Sequence, residues 1–152
     1  MRCTLLTTIV ALGALACGGE KQADQTQTAG APAGGTPAPA GPVVEVKMTG
    51  NGSTVAAFEP RTLTIAPGTT VRFINVSGGP HNVAFWGDSI PAGAAAVLTA
   101  AMANTIDNMS GPFLTQANEA YDVSFANAPT GMYKGYCVPH LALGMKIAIT
   151  VQ

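Results

Sequence analysis

The sequence predicts an all-β protein: a Greek-key antiparallel β-sandwich with one short helix, preceded by a disordered tether. Three observations carry this. From Val43 onward, short runs alternate apolar and polar residues with period two. Clusters of Gly, Pro and Asn separate those runs at close intervals, as in a sandwich. Ahead of them, residues 18–42 contain no large apolar side chain, so they have nothing with which to build a core.

The elements follow in order. In Val43–Met48 the residues Val44, Val46 and Met48 share one face and Glu45 and Lys47 the other. Leu63 and Ile65 alternate with threonines, and Pro67-Gly68 closes the run as a turn. Val71 and Phe73 flank Arg72. An apolar run from His81 to Trp86 reads as a strand that starts at the histidine. Pro91 to Thr105 is rich in alanine and poor in β-branched residues, so a short helix is expected there, inside the long connection of the Greek key, with Asp88 or Ser89 as its cap. Tyr121, Val123 and Phe125 alternate with Asp122 and Ser124. Met132 to Tyr136 leads into Cys137, and Ile147, Ile149 and Val151 form the last strand. Seven or so strands result.

The chain has 152 residues, which suits one domain. Charged residues make up 10% and the net charge is −1, with no Lys/Arg run, so nucleic acid is not an expected partner. Residues 1–16 read as an export signal: Arg2, then the apolar run Leu5–Ala16, which is shorter than the roughly 20 residues a spanning helix needs. The run Leu12-Gly13-Ala14-Leu15-Ala16-Cys17 resembles a bacterial lipobox, with Cys17 as the lipidation site. Residues 17–42 then form an Ala/Pro/Gly-rich flexible linker of roughly 25–30 Å if a random coil. Residues 43–152 form the folded domain. The expected location is periplasmic or at the cell surface, lipid-anchored to a bacterial membrane.

Cysteine use sharpens the functional reading. Cys3 falls in the signal and Cys17 at the lipid site, so Cys137 is the one thiol left in the domain. An unpaired thiol in an oxidising compartment is a liability unless something occupies it. Cys137 stands in the run Cys137-Val138-Pro139-His140-Leu141-Ala142-Leu143-Gly144-Met145, with the spacing Cys-x2-His-x4-Met. The chain holds 2 histidines, His81 and His140. Two imidazoles, one thiolate and one thioether are the ligand set of a blue-copper electron-transfer site. Cu(I) favours soft sulfur and Cu(II) favours nitrogen; a mixed set with a weak axial thioether suits both.

Singly, each of these residues has a plainer reading. A lone buried Cys is usually an inert core residue, a lone His a satisfied structural one, and a Met a gap filler. Together they would have to gather both histidines and the domain's thiol by chance. Met48, Met102, Met109 and Met132 read as core or surface, Trp86 as a core aromatic and Tyr136 as strand packing. Pro139 offers no N–H to the thiolate, and the N–H of Asn82 is a candidate for the remaining donor. Fewer donors to sulfur favour a higher potential.

The stretches Phe58-Glu59-Pro60, Ile65–Phe73, Pro80-His81-Asn82-Val83, Ile90-Pro91-Ala92-Gly93 and Tyr136–His140 with Gly144-Met145 resemble a plastocyanin/pseudoazurin-type cupredoxin over Val43 to Gln152. That resemblance implies one type 1 copper held by His81, Cys137, His140 and Met145. It also implies a docking patch of Leu141, Ala142 and Leu143 around an exposed edge of His140. No acidic cluster lies near Tyr136, so no plant-type patch is implied there. The expected function is a one-electron carrier, not an enzyme, working as a monomer with transient redox-protein partners and tied to a membrane by its lipid. A copper oxidase or nitrite reductase would need more histidines than this chain has. A copper-binding module for storage or delivery is the alternative, and would favour a more exchangeable, Met-rich site.

Overall fold

The computed structural model describes residues 41–152; the expected signal, Cys17 and the spacer up to residue 40 lie outside them. Among the described residues two four-stranded sheets face each other across one core. The strands are β1 (Val43–Gly50), β2 (Ala56–Glu59), β3 (Thr62–Ile65), β4 (Thr70–Asn75), β5 (Ala84–Phe85), β6 (Ala120–Ser124), β7 (Gly131–Tyr136) and β8 (Lys146–Val151). One sheet runs β2-β1-β4-β6 and the other β3-β8-β7-β5.

Alternation sorts the faces as the sequence implies. Val46, Met48, Val71, Phe73, Val123, Ile149 and Val151 are buried, and Glu45 and Lys47 are exposed. Phe58 meets Phe73 edge-on at 5.9 Å, and Phe125 meets Tyr133 at 5.2 Å and 90°. Aromatic pairs of this kind add about 0.5–1.5 kcal/mol to their burial. The sheets are mixed rather than wholly antiparallel: β1 pairs parallel with β4 and β3 parallel with β8. The chain leaves the first sheet after β2, adds β3 to the second, and returns beside β1 as β4. Period-two alternation records which face a residue takes, not the direction of the neighbouring strand.

Two local expectations need correction, and one strand adds to those expected. Strand β2 carries three buried residues in a row, Ala56, Ala57 and Phe58, so no alternation announced it. His81 does not start its own strand; it sits in an isolated bridge with Leu114, ahead of the two-residue β5. The helix α1 (Ala94–Ala101) begins after Gly93, which has φ 79° and supplies no side-chain cap. Asp88 instead accepts from the Ser89 hydroxyl at 3.1 Å, and Ala94 N–H donates to Pro91 O. Ala94 and Leu98 bury one face of α1, which packs near β6.

Candidate metal centre

Cys137 follows the last residue of β7, a strand whose inward side carries Tyr133 and Gly135, and is fully buried. His140 opens a short 3-10 turn, Leu141–Leu143, which ends at Gly144 with φ 77°. Nothing would obstruct a Cβ at Gly144, so the glycine answers a conformational demand, not a steric one. The N–H of Met145 donates to His140 O at 3.2 Å, and the N–H of Cys137 donates to Met145 O at 3.1 Å. These bonds close Cys137 to Met145 into one hairpin-like loop that leads straight into β8. Met145 is buried, in the same core cluster as Cys137.

His81 arrives from the other half of the chain. Its backbone is clamped by Leu114 on both sides: His81 N–H donates to Leu114 O at 3.1 Å, and Leu114 N–H to His81 O at 2.7 Å. Its Nε2 lies 2.9 Å from Ser77 O. A carbonyl can only accept, so Nε2 carries the hydrogen and Nδ1 is left free as a lone-pair donor. That Nδ1 lies 3.7 Å from Cys137 Sγ, and Nδ1 of His140 lies 3.5 Å from the same sulfur. The imidazoles are 4.7 Å apart, centre to centre. All three donor atoms fall within 4.8 Å of one another. The 3.5 and 3.7 Å spacings from sulfur to nitrogen are what donors leave between them when each sits about 2.0–2.3 Å from a common ion.

The surroundings favour a cation at this point. Burial pushes the Cys137 thiol above its ordinary pKa, while the N–H groups of Asn82 and His140 draw it back. Burial lowers both histidines; the Ser77 carbonyl opposes this at His81, and the neighbouring His81 adds to it at His140. Two neutral imidazoles beside a thiol that needs a positive charge to ionise suit a metal ion, and thiolate with imidazole suits copper.

Asn82 links the two halves. Its backbone N–H lies 3.5 Å from Cys137 Sγ, and its Oδ1 accepts from Val138 N–H at 2.8 Å. Its amide nitrogen donates to Ser110 Oγ and Gly111 O. Ser77, Leu114, Ser110 and Gly111 were not legible as site residues, because three of them act through backbone oxygens that any residue has. Pro139 is exposed.

His81 is fully buried, whereas His140 keeps 8% of its surface. Nε2 of His140 has no hydrogen-bond partner among the described residues, and the buried side-chain atom lacking one there is Asn75 Oδ1. The outer nitrogen of His140 therefore meets solvent. Around it Val138, Leu141 and Leu143 are exposed, as is Ala142. Trp86 is not a core residue: it is half-buried and stacked on Tyr136 at 4.4 Å.

Comparison with known proteins agrees with this site. The profile described as "Copper binding proteins, plastocyanin/azurin family" matches residues 44–152. A plastocyanin from Scenedesmus fuscus is 38% identical over 109 residues, covering 72% of this chain and 99% of that one. A chloroplastic plastocyanin from Physcomitrium patens is 38% identical over 107 residues; the match takes in 70% of this chain and 56% of that protein's length. The oxidized plastocyanin of Dryopteris crassirhizoma superimposes with a TM-score of 0.56 at 28% identity, over 72% of this chain and 100% of that one.

Proposed function

This chain belongs to the plastocyanin/azurin family of copper-binding proteins, and from that membership we propose a one-electron carrier that works outside the cytoplasm. Its plastocyanin relatives support a copper electron carrier. The observation that carries the reading is the convergence of His81 Nδ1, Cys137 Sγ and His140 Nδ1 within 4.8 Å, next to the buried Met145. Those four residues are the proposed ligands of one type 1 copper. Copper there supplies a one-electron couple between Cu(I) and Cu(II).

The protein's part is to hold its donors still. His81 is fixed at the backbone by Leu114 and at the ring by Ser77. Cys137 and Met145 are tied at the base of their loop. A frame that does not rearrange lowers the cost of each redox change. His140 is the proposed electron port, since its Nε2 reaches solvent, and Leu141, Ala142 and Leu143 form the apolar face that transient redox partners dock on. Such encounters need under about 1,200 Å² of interface.

The lipobox-like run before Cys17 and the spacer behind it support a lipid anchor on a bacterial membrane, with the domain working as a monomer on a leash. Optical and EPR spectra of the copper-loaded protein, followed by redox titration, test the reading. An intense thiolate-to-copper band and a reversible one-electron wave are expected. A colourless protein that yields its copper readily to a chelator would favour storage or delivery instead.

A further inference from the structure

Asn75 ends β4 and keeps only 2% of its surface exposed. A polar side chain this buried is costly unless it bonds, so its partners show what it is for. Its Nδ2 donates to Leu114 O and to Gln116 O, each at 3.1 Å. Both neighbours are acceptors, which fixes the nitrogen on that side of the amide. Its Oδ1 has no partner among the described residues. Within the fold this side chain is a two-pronged donor.

What it holds is the mooring of His81. His81 and Leu114 form an isolated bridge outside the named strands, closed by two backbone hydrogen bonds. No run of neighbouring strand pairs keeps that bridge in place. Leu114 O takes the His81 N–H and the Asn75 amide at once, which fills both of its acceptor sites. Asn75 ties this bridge to the first sheet. Its own N–H donates to Glu119 O at 2.9 Å, and its O accepts from Asn118 N–H at 2.7 Å. Residues 114–119 are thus pinned to the end of β4 at both of their ends.

The chain that leads into His81 lies against the same amide. A Cβ on Gly79 would come 2.9 Å from Asn75 Nδ2 and 3.3 Å from Leu114 O, so the close pass needs a glycine. That pass joins Ser77, whose O holds the His81 ring, to His81 itself. Both segments that fix His81 therefore rest on one side chain. We infer that Asn75 is a positioning residue for the metal site: through the Leu114 carbonyl it holds the backbone of His81, and so sets where Nδ1 meets the ion. The inference rests on the reading of His81 as a copper ligand. An ion gains from an imidazole only as far as the imidazole is held in place for it.

The test compares three variants. Asn75→Leu keeps the shape of the side chain and removes both N–H groups; Asn75→Ser removes them with less bulk, in case the first does not fold. Val151→Ala truncates a core residue at the end of β8 far from Met145, and controls for a general loss of stability. In metal-free protein, backbone hydrogen exchange is read by NMR. In the Asn75 variants the N–H groups of His81 and Leu114 should exchange roughly tenfold or more faster than the change at the amides of β4 and β8 accounts for, whereas Val151→Ala should raise all of them alike. In copper-loaded protein the Asn75 variants should hold copper about tenfold or more weaker against a chelator and shift the copper hyperfine splitting in EPR, and Val151→Ala should leave both in place. Asn75 variants that match Val151→Ala in exchange pattern, affinity and EPR overturn this inference alone, since Asn75 then only adds stability. A parent protein that binds no copper overturns the ligand reading and this inference with it.

Discussion

The backbone N–H of Asn82 lies 3.5 Å from Sγ of Cys137, so the residue next to His81 reaches the sulfur on the far half of the chain. The side chain of Asn82 sustains that reach. Its Oδ1 takes the N–H of Val138, and its amide holds Ser110 and Gly111. Asn82→Ala keeps the N–H but removes these buried ties. We expect a loss of about 1–3 kcal/mol in denaturant titration. Copper affinity should drop roughly 10–100-fold in a chelator competition. Unchanged affinity would mean the site holds its shape without this link.

Leu141 is exposed beside His140. Leu141→Glu places a charge on the proposed docking face without touching a ligand. Exchange with partners should slow about tenfold, the equivalent of some 1.4 kcal/mol, with the copper spectrum intact. A changed spectrum with unchanged rates would sink this role for the patch.

The grouping of His81, Cys137 and His140 was more legible than the direction of the strands around them. Cys137, His140 and Met145 lie in one short run, so their spacing is visible in a single line of sequence, and the chain has no third histidine to confuse the assignment. Strand faces were legible for Val44–Met48 and Ile147–Val151, where alternation is clean. Strand direction was not, because the parallel pairing of β1 with β4 depends on a crossing of β3 between sheets, which leaves no mark on either strand. The helix cap failed for a related reason: Asp88 and Ser89 bond to each other, and a left-handed Gly93 does the work that capping rules give to side chains. Trp86 reads as core because it ends an apolar run, yet it is half-buried and stacks on Tyr136, its N–H donating to Lys134 O beside the sheet.

Cys137 supplies the only thiolate of the set. Cys137→Ser is nearly isosteric, but a serine hydroxyl stays protonated at neutral pH. Copper-loaded Cys137→Ser should therefore lose the intense visible band and its redox wave; retention of either would remove Cys137 as a ligand. Met145→Gln swaps a soft sulfur for a hard oxygen, which favours Cu(II). The potential should fall in voltammetry, while the visible band persists. A potential that does not move would place Met145 outside the metal's reach.

Acid should destabilise the metal-free protein through His81 and His140. Burial depresses both below the ordinary value of 6.5. As pH falls through that value the unfolded chain takes up protons that the folded one still refuses, so the unfolded state gains and stability drops. Thermal melting of metal-free protein from neutral to mildly acidic pH checks this. Replacing His81 by Gln should flatten the acid limb, and an unaltered limb would assign the loss to carboxylates.

The alkaline limb has a different owner. Tyr121 donates its hydroxyl to Ala103 O at 2.8 Å, and burial raises its pKa from 10.0 to about 12. Between those values the unfolded chain gives up the phenolic proton while the folded one keeps it. The unfolded state therefore gains, and stability falls as pH climbs through that window. Tyr121→Phe removes both the hydrogen bond and the proton. Near neutral pH the variant should be less stable by about 0.5–1.5 kcal/mol, the worth of one hydrogen bond. The gap should then close as pH rises toward 12, because only the parent pays for holding its proton. Parallel stability curves for parent and variant across pH 10 to 12 would show that Tyr121 titrates alike in both states, and that its burial on β6, against the loop after α1, does not control the proton.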